Sequence, residues 1–170
     1  MADAIAQQLS RFDPHLRGVR WMSAEQIHLT LGFFGNVSAE VEQVLVARLR
    51  EIEFKAFFLP LVGFGTFLAK GWPNLIWVGV GAGHPHLFQV HKRVQEAALA
   101  AGLEPDLRSF HPHFTVARCR DVPAESIRQF LQTNADLDAG MIRVEAFELN
   151  SSRPEPGGSI YTTELIVRAA

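Results

Sequence analysis

Histidine and threonine recur in one short pattern, His-x-Thr-hydrophobic. It stands at His28-Leu29-Thr30-Leu31 and again at His113-Phe114-Thr115-Val116. Along an extended strand, side chains alternate between the two faces. Each copy would then offer an imidazole and a hydroxyl to one side while its apolar residues anchor the other. Two such strands facing each other would gather two histidines and two threonines. Histidine, with an unperturbed pKa of about 6.5, serves as acid or base near neutral pH. The set suits acid–base chemistry on a phosphate. A single His-x-Thr is ordinary half-buried strand composition; the repetition carries the reading.

The surroundings repeat as well. His113 lies 85 positions after His28, and the same offset aligns Val37-Ser38-Ala39-Glu40 with Val122-Pro123-Ala124-Glu125. Both open amphipathic helices, through Val41, Val44, Leu45 and Leu49 in one and Ile127, Phe130 and Leu131 in the other. Ser38 is a natural N-cap, and Pro123 fits a first helical turn. Strand-like runs follow each helix, Phe57 to Phe67 and Ile142 to Leu149. Helix-like stretches precede each motif, Ala2 to Phe12 and Leu87 to Ala101, the second closed by Gly102. Leu75 to Val80 reads as a buried strand with no counterpart at the same offset. The second unit is thus β-α-β-α-β, and the first, α-β-α-β, implies a further strand ahead of Met1. Leu68 to Asn74 reads as a turn, and Ser151 to Ser159, rich in proline and glycine, as an exposed loop. One domain over residues 1–170 is expected, with repeat units of about 1–70 and 71–170.

Size and composition bound the function. The 170 residues are 48% hydrophobic and 20% charged, which is globular composition. A net charge of −2 gives no overall basic character for long nucleic acid, so an RNA partner would be gripped locally, at an end. Cys119 is the sole cysteine, which excludes an intrachain disulfide and a cysteine metal cluster. No apolar stretch is long enough to span a membrane, and the first residues do not read as a signal peptide. A cytoplasmic monomer without membrane association is expected.

Other signals are weaker. Gly79, Gly81 and Gly83 do not match the dinucleotide fingerprint and read as a tight turn. His84, His86 and His91 match no standard metal spacing, and His15 reads as a surface loop residue. Trp77 reads as core; Trp72 is open between packing and base stacking. His111 shares the face of His113 by parity, lining the site's mouth or standing by as a spectator.

The motifs His28-Leu29-Thr30-Leu31-Gly32-Phe33-Phe34-Gly35 and Pro112-His113-Phe114-Thr115-Val116-Ala117-Arg118 resemble the paired signatures of the two-histidine phosphoesterases. The resemblance is greatest to the RNA 2′,3′-cyclic phosphodiesterases, also called the 2′-5′ RNA ligase family. It covers nearly the whole chain, including Arg20-Trp21 and the region from Phe147-Glu148-Leu149 to Tyr161. It implies a bilobal α+β fold with pseudo-twofold symmetry and a central cleft between two antiparallel sheets. It also implies metal-independent, cofactor-free hydrolysis of RNA 3′ ends or nucleotides carrying a 2′,3′-cyclic phosphate, giving a 2′-phosphate. Family members usually begin with an apolar, aromatic strand lining the cleft, the strand that the repeat also finds wanting here.

The resemblance assigns His113 as proton acceptor toward water and His28 as proton donor toward the 3′-oxygen, although symmetry permits the reverse. Thr30 and Thr115 would hold the non-bridging oxygens. The family signature has an arginine at Arg118, a charge partner for phosphate. Strict alternation points Arg118 away from His113 and Thr115. Either a bulge or the strand end turns it inward, or it is a surface arginine. Its repeat counterpart is Phe33. The rival readings are 2′-5′ ligation of RNA ends at the same site, a non-catalytic nucleotide or RNA-end binding module, and a different cyclic substrate.

Overall fold

The computed structural model describes residues 17–81, 84–106, 108–155 and 158–170. They form an α+β arrangement of seven strands and three α-helices. The Ala2–Phe12 helix, the strand expected before it, His15 and Gly83 lie outside the described residues.

The chain divides into two compact units that do not follow the two sequence copies. One runs through Thr30 and takes in Phe58–His84 and Ser109–Arg143; the other comprises Leu31–Phe57, Pro85–Arg108 and Val144–Ala170. The histidines and threonines of both motifs fall in the first.

The first unit is built on strands β1 (Val19–Trp21), β2 (Phe57–Ala69), β3 (Trp72–Gly79), β4 (His113–Cys119) and β5 (Asp138–Val144). They form one sheet in the order β1-β4-β3-β2-β5, with β4 antiparallel to both β1 and β3. Alternation divides its side chains cleanly. Phe114, Val116, Ile76 and Val78 are buried to about a hundredth exposed or less. The helix α3 (Ala124–Thr133) belongs to this face: Phe130 meets Trp21 at 6.0 Å and Phe64 at 5.1 Å between ring centroids. Burying those side chains is the main stabilising term of the unit. The opposite face carries the motif residues.

In the second unit, α1 (Ala39–Arg50) and α2 (Pro85–Ala100) bury Leu45 and Leu49 on one helix and Leu87, Val90 and Val94 on the other. Ser38 caps α1 as expected, its hydroxyl accepting from the Val41 amide at 3.4 Å. Pro123, by contrast, is the N-cap of α3 and not a residue of its first turn, and it supplies no side-chain cap. A two-stranded sheet, β6 (Ala146–Glu155) and β7 (Gly158–Arg168), completes the second unit.

Three expectations about connections are corrected. The described residues of the Ser151–Ser159 segment are strand rather than loop: Ser151 pairs with Thr162, Arg153 with Ile160 and Pro154 with Ser159 between β6 and β7. In a two-stranded ribbon both strands are edges, so Pro154 can turn its missing N–H outward. The Leu68–Asn74 turn shrinks to Lys70 and Gly71, both at positive φ (51° and 82°). Such a two-residue turn matches the twist of the strands, which pair up to Ala69–Trp72. The run from Ile142 to Leu149 is two strands, interrupted at Glu145.

Candidate active site

Only the second motif lies in a regular strand. After β1 the chain makes a 3₁₀ turn over Ala24–Gln26, then returns to the sheet through an isolated antiparallel bridge between Leu29 and Phe114. The two motifs are therefore neighbours in one sheet rather than strands facing across a gap. Extending that bridge by one residue each way sets His28 opposite Thr115 and Thr30 opposite His113. Residues opposite each other on adjacent strands share a face, so the four polar side chains gather on one side. Phe114, buried at 1% exposure, and Leu29 anchor the other.

The two imidazoles are held alike. His28 Nδ1 lies 2.8 Å from the Gln26 carbonyl oxygen, and His113 Nδ1 lies 2.7 Å from that of His111. Gln26 and His111 are themselves counterparts at the repeat offset. A carbonyl only accepts, so each Nδ1 carries a hydrogen and donates it. In the neutral ring this leaves Nε2 as the lone-pair nitrogen; in the imidazolium Nε2 also carries a proton. The 3₁₀ turn makes this possible for His28. Its closing bonds, Gln26 N to Ser23 O at 3.0 Å and Ile27 N to Ala24 O at 3.2 Å, aim the Gln26 carbonyl at the ring.

The surroundings differ. His28 sits on the outer side of β4 and is exposed. His113 sits beside β3, half-buried, with its ring centroid 5.0 Å from Phe67, edge to face, and 6.1 Å from Trp77. Burial pushes the His113 imidazole below its ordinary value. The bond to the His111 carbonyl opposes this, and the nearby charges of His111 and His28 add to the lowering. The His111 ring, 5.0 Å from Trp77 and 5.4 Å from Phe67, belongs to the same cluster.

That cluster depends on two glycines. Trp77 pairs with Gly65 across the sheet, and a Cβ on Gly65 would fall 2.0 Å from the indole. One on Gly79, opposite His113, would meet the same indole at 3.4 Å and the Val62 carbonyl oxygen at 2.9 Å. The indole lies over the bare backbone these residues leave. Glycines inside two strand runs were the available signal. They mark Trp77 as more than core and point to Phe67, which shares its face.

A bulge resolves the orientation of Arg118. Trp77 pairs with Thr115 and Ile76 with Ala117, so Val116 is an extra residue in β4. Val116 and Ala117 are both buried, at 0% exposure. The Met22 amide donates to the Val116 carbonyl at 2.9 Å and fixes the kink. Alternation is thereby reset, and Arg118, opposite Leu75, shares the face of Thr115 and Trp77. Phe33, its repeat counterpart, is 73% exposed.

Among the described residues, no three His, Cys, Asp or Glu side chains are grouped to hold a metal; His86 instead packs on Phe57 at 5.9 Å. No helix there is long and apolar enough to cross a membrane.

A sheet that brings two like-oriented imidazoles, two threonine hydroxyls and an arginine to one face defines a paired-histidine α+β protein. A family model described as the 2′-5′ RNA ligase superfamily matches residues 2–153. The chain belongs to that superfamily. It is 35% identical over 149 residues to the RNA 2′,3′-cyclic phosphodiesterase of Aeropyrum pernix, covering 86% of this chain and 84% of that one. It is 30% identical over 144 residues to that of Archaeoglobus fulgidus, covering 85% and 80%. The crystal structure of Escherichia coli LigT in apo form superposes with a TM-score of 0.78 at 25% identity, over 99% of this chain and 90% of that one. The same protein complexed with 3′-AMP gives 0.76 at 26% identity, over 99% and 91%.

Proposed function

We propose that this chain hydrolyses 2′,3′-cyclic phosphates, at RNA 3′ ends or on nucleotides, to 2′-phosphates by paired-histidine acid–base catalysis. The observation that carries the reading is the matched pair of Nδ1-to-carbonyl bonds, which makes Nε2 the nitrogen of each ring that can take up or give a proton. The family relationship supplies the substrate class.

In this reading His113 Nε2 takes a proton from water, and the oxygen attacks phosphorus in line with the bond to O3′. That bond breaks, and His28, as imidazolium, gives its Nε2 proton to O3′. The product carries a 2′-phosphate and a free 3′-hydroxyl; His113 leaves the cycle protonated and His28 neutral, and a proton exchange with water restores both. His113 suits the base role because burial favours its neutral form. Thr30 and Thr115 donate to the non-bridging oxygens, and Arg118 offsets the charge that develops on them. His111 helps wall the site, its ring beside Trp77 and Phe67.

The deciding experiment is turnover of a nucleoside 2′,3′-cyclic phosphate with the product isomer identified by phosphorus NMR. A 2′-phosphate supports the proposal, whereas a 3′-phosphate or no turnover refutes it. Including an RNA with a 5′-hydroxyl end in a parallel reaction tests ligation.

A further inference from the structure

Arg20 faces Arg118. The two are direct cross-strand partners at the β1–β4 pair, both are exposed, and neither has an ion-pair or hydrogen-bond partner among the described residues. Like charges directly opposite each other in a sheet are destabilising. No acidic residue follows either arginine along its strand; the neighbours in that row are Leu75 and Phe67. Such a pair is favourable when an anion lies between the two guanidiniums.

The row has a definite place. Leu75 and Trp77 are two residues apart on β3, so the Arg20–Arg118 row lies about 7 Å along the sheet from the row of Thr115 and Trp77. Because the β4 bulge resets alternation, both arginines share the face of the histidines. Successive phosphates on a nucleic acid strand are spaced on this same scale. Arg118, next to Thr115, reaches the phosphate held by the His-Thr pairs, while Arg20 stands one strand outward.

We propose that Arg20 binds a second phosphate, the phosphodiester immediately 5′ of the terminal cyclic-phosphate nucleotide, with Arg118 spanning the two. This rests on the hydrolase reading of the same site, and it makes the preferred substrate an oligonucleotide end rather than a mononucleotide. It also reconciles local RNA recognition with a net charge of −2.

The test compares Arg20→Ala and Arg20→Lys with the unaltered protein on uridine 2′,3′-cyclic phosphate and on a dinucleotide ending in the same group. Losing one charge-assisted contact should lower the dinucleotide-to-mononucleotide ratio of kcat/KM about tenfold to a hundredfold, mainly through dinucleotide KM. Arg20→Lys should recover part of the ratio, and the salt dependence of dinucleotide KM should flatten by about one ion. Removing one of two like charges should leave the melting temperature of Arg20→Ala unchanged or higher, which separates this role from a structural one. An unchanged ratio, or equal losses on both substrates, overturns the proposal. Should the unaltered protein turn over neither substrate, the hydrolase reading fails. Binding then decides: the mono- and dinucleotide 3′-phosphates are titrated, and equal weakening of both by Arg20→Ala overturns the assignment.

Discussion

Gly65→Ala tests whether the aromatic cluster positions the catalytic face. The added methyl would sit 2.0, 2.2 and 2.4 Å from three indole carbons of Trp77, where carbon contacts relax only at about 3.5–4.0 Å. The indole must therefore retreat by roughly 1.5 Å, the difference between those spacings. Gly65 is not among the positive-φ glycines, so alanine's backbone preference adds no strain and the clash is isolated. Overpacking of this kind costs about 1–3 kcal/mol, which lowers the melting temperature of a chain this size by about 2–12 °C. The larger effect should fall on catalysis. Trp77 is packed against Phe67 at 5.6 Å and His111 at 5.0 Å, with His113 beyond, so its retreat disturbs the proposed base. A displacement near 1 Å at a reacting group costs about a hundredfold in rate. Calorimetry reads the first effect, turnover of the cyclic nucleotide the second, and tryptophan emission the movement itself. Adding Trp77→Phe to Gly65→Ala should restore part of both, a coupling that independent sites do not show. Gly71→Ala, at the β2–β3 turn with φ of 82° and open space around it, should lose stability without loss of turnover. If Gly65→Ala keeps full turnover and an unshifted tryptophan spectrum, the cluster does not position the site.

Further outcomes follow from the same geometry. His28→Ala and His113→Ala should each lower kcat by about two to four orders of magnitude with the fold retained by circular dichroism, the usual contribution of a general acid or base; near-normal turnover in either would refute the mechanism. The acidic limb of the kcat/KM profile should fall below pH 6.5, because the base remains unprotonated below the ordinary imidazole value. Stability should change over the same window. The folded pKa of His113 lies below the unfolded value, so the unfolded chain takes the proton first and stability falls as pH drops through it; His113→Gln should flatten that part of a denaturation-versus-pH curve. Thr115→Val, nearly isosteric, should lower kcat about tenfold to a hundredfold by removing one oxyanion donor, while Thr115→Ser keeps more of the rate. Chelators should leave turnover unaffected; loss of activity that added metal restores would point to a different mechanism.

Much of the site was legible because both chemistry and repetition are local. His28, Thr30, His113 and Thr115 are a pattern of neighbours, and strand alternation alone places each pair on one face. What joins the two pairs was not legible. The Leu29–Phe114 bridge brings together residues 85 positions apart, and no periodicity encodes which side of β4 the first motif takes. The orientation of Arg118 was lost for a different reason. A bulge shifts the pairing frame by one residue, and Val116-Ala117 only looks like strand. Its one trace is two consecutive small apolar residues where alternation calls for one. The strand residues within Ser151–Ser159 look like loop in sequence because proline and glycine punctuate loops more often than strands. Continued pairing from the buried Phe147–Val167 end overrides that preference.

The origin of the asymmetry between the histidines lies outside the repeat. The repeat gives both rings the same tautomer, through Gln26 and His111 in equivalent positions. Left alone, it would make the two interchangeable. The residue at the repeat offset from Phe67 is Ser152, so the repeat does not reproduce the aromatic wall that Phe67 and Trp77 make beside His113. They come from β2 and β3, which lie on one side of β4 only. The His28 segment meets the sheet on the other side, and its imidazole is exposed. A ring walled by aromatic carbon favours its neutral, proton-accepting form. On the proposed mechanism, the direction of proton flow across the phosphate follows from strand order, with the aromatic-bearing β3 on one side of β4 and the first motif on the other, more than from either motif.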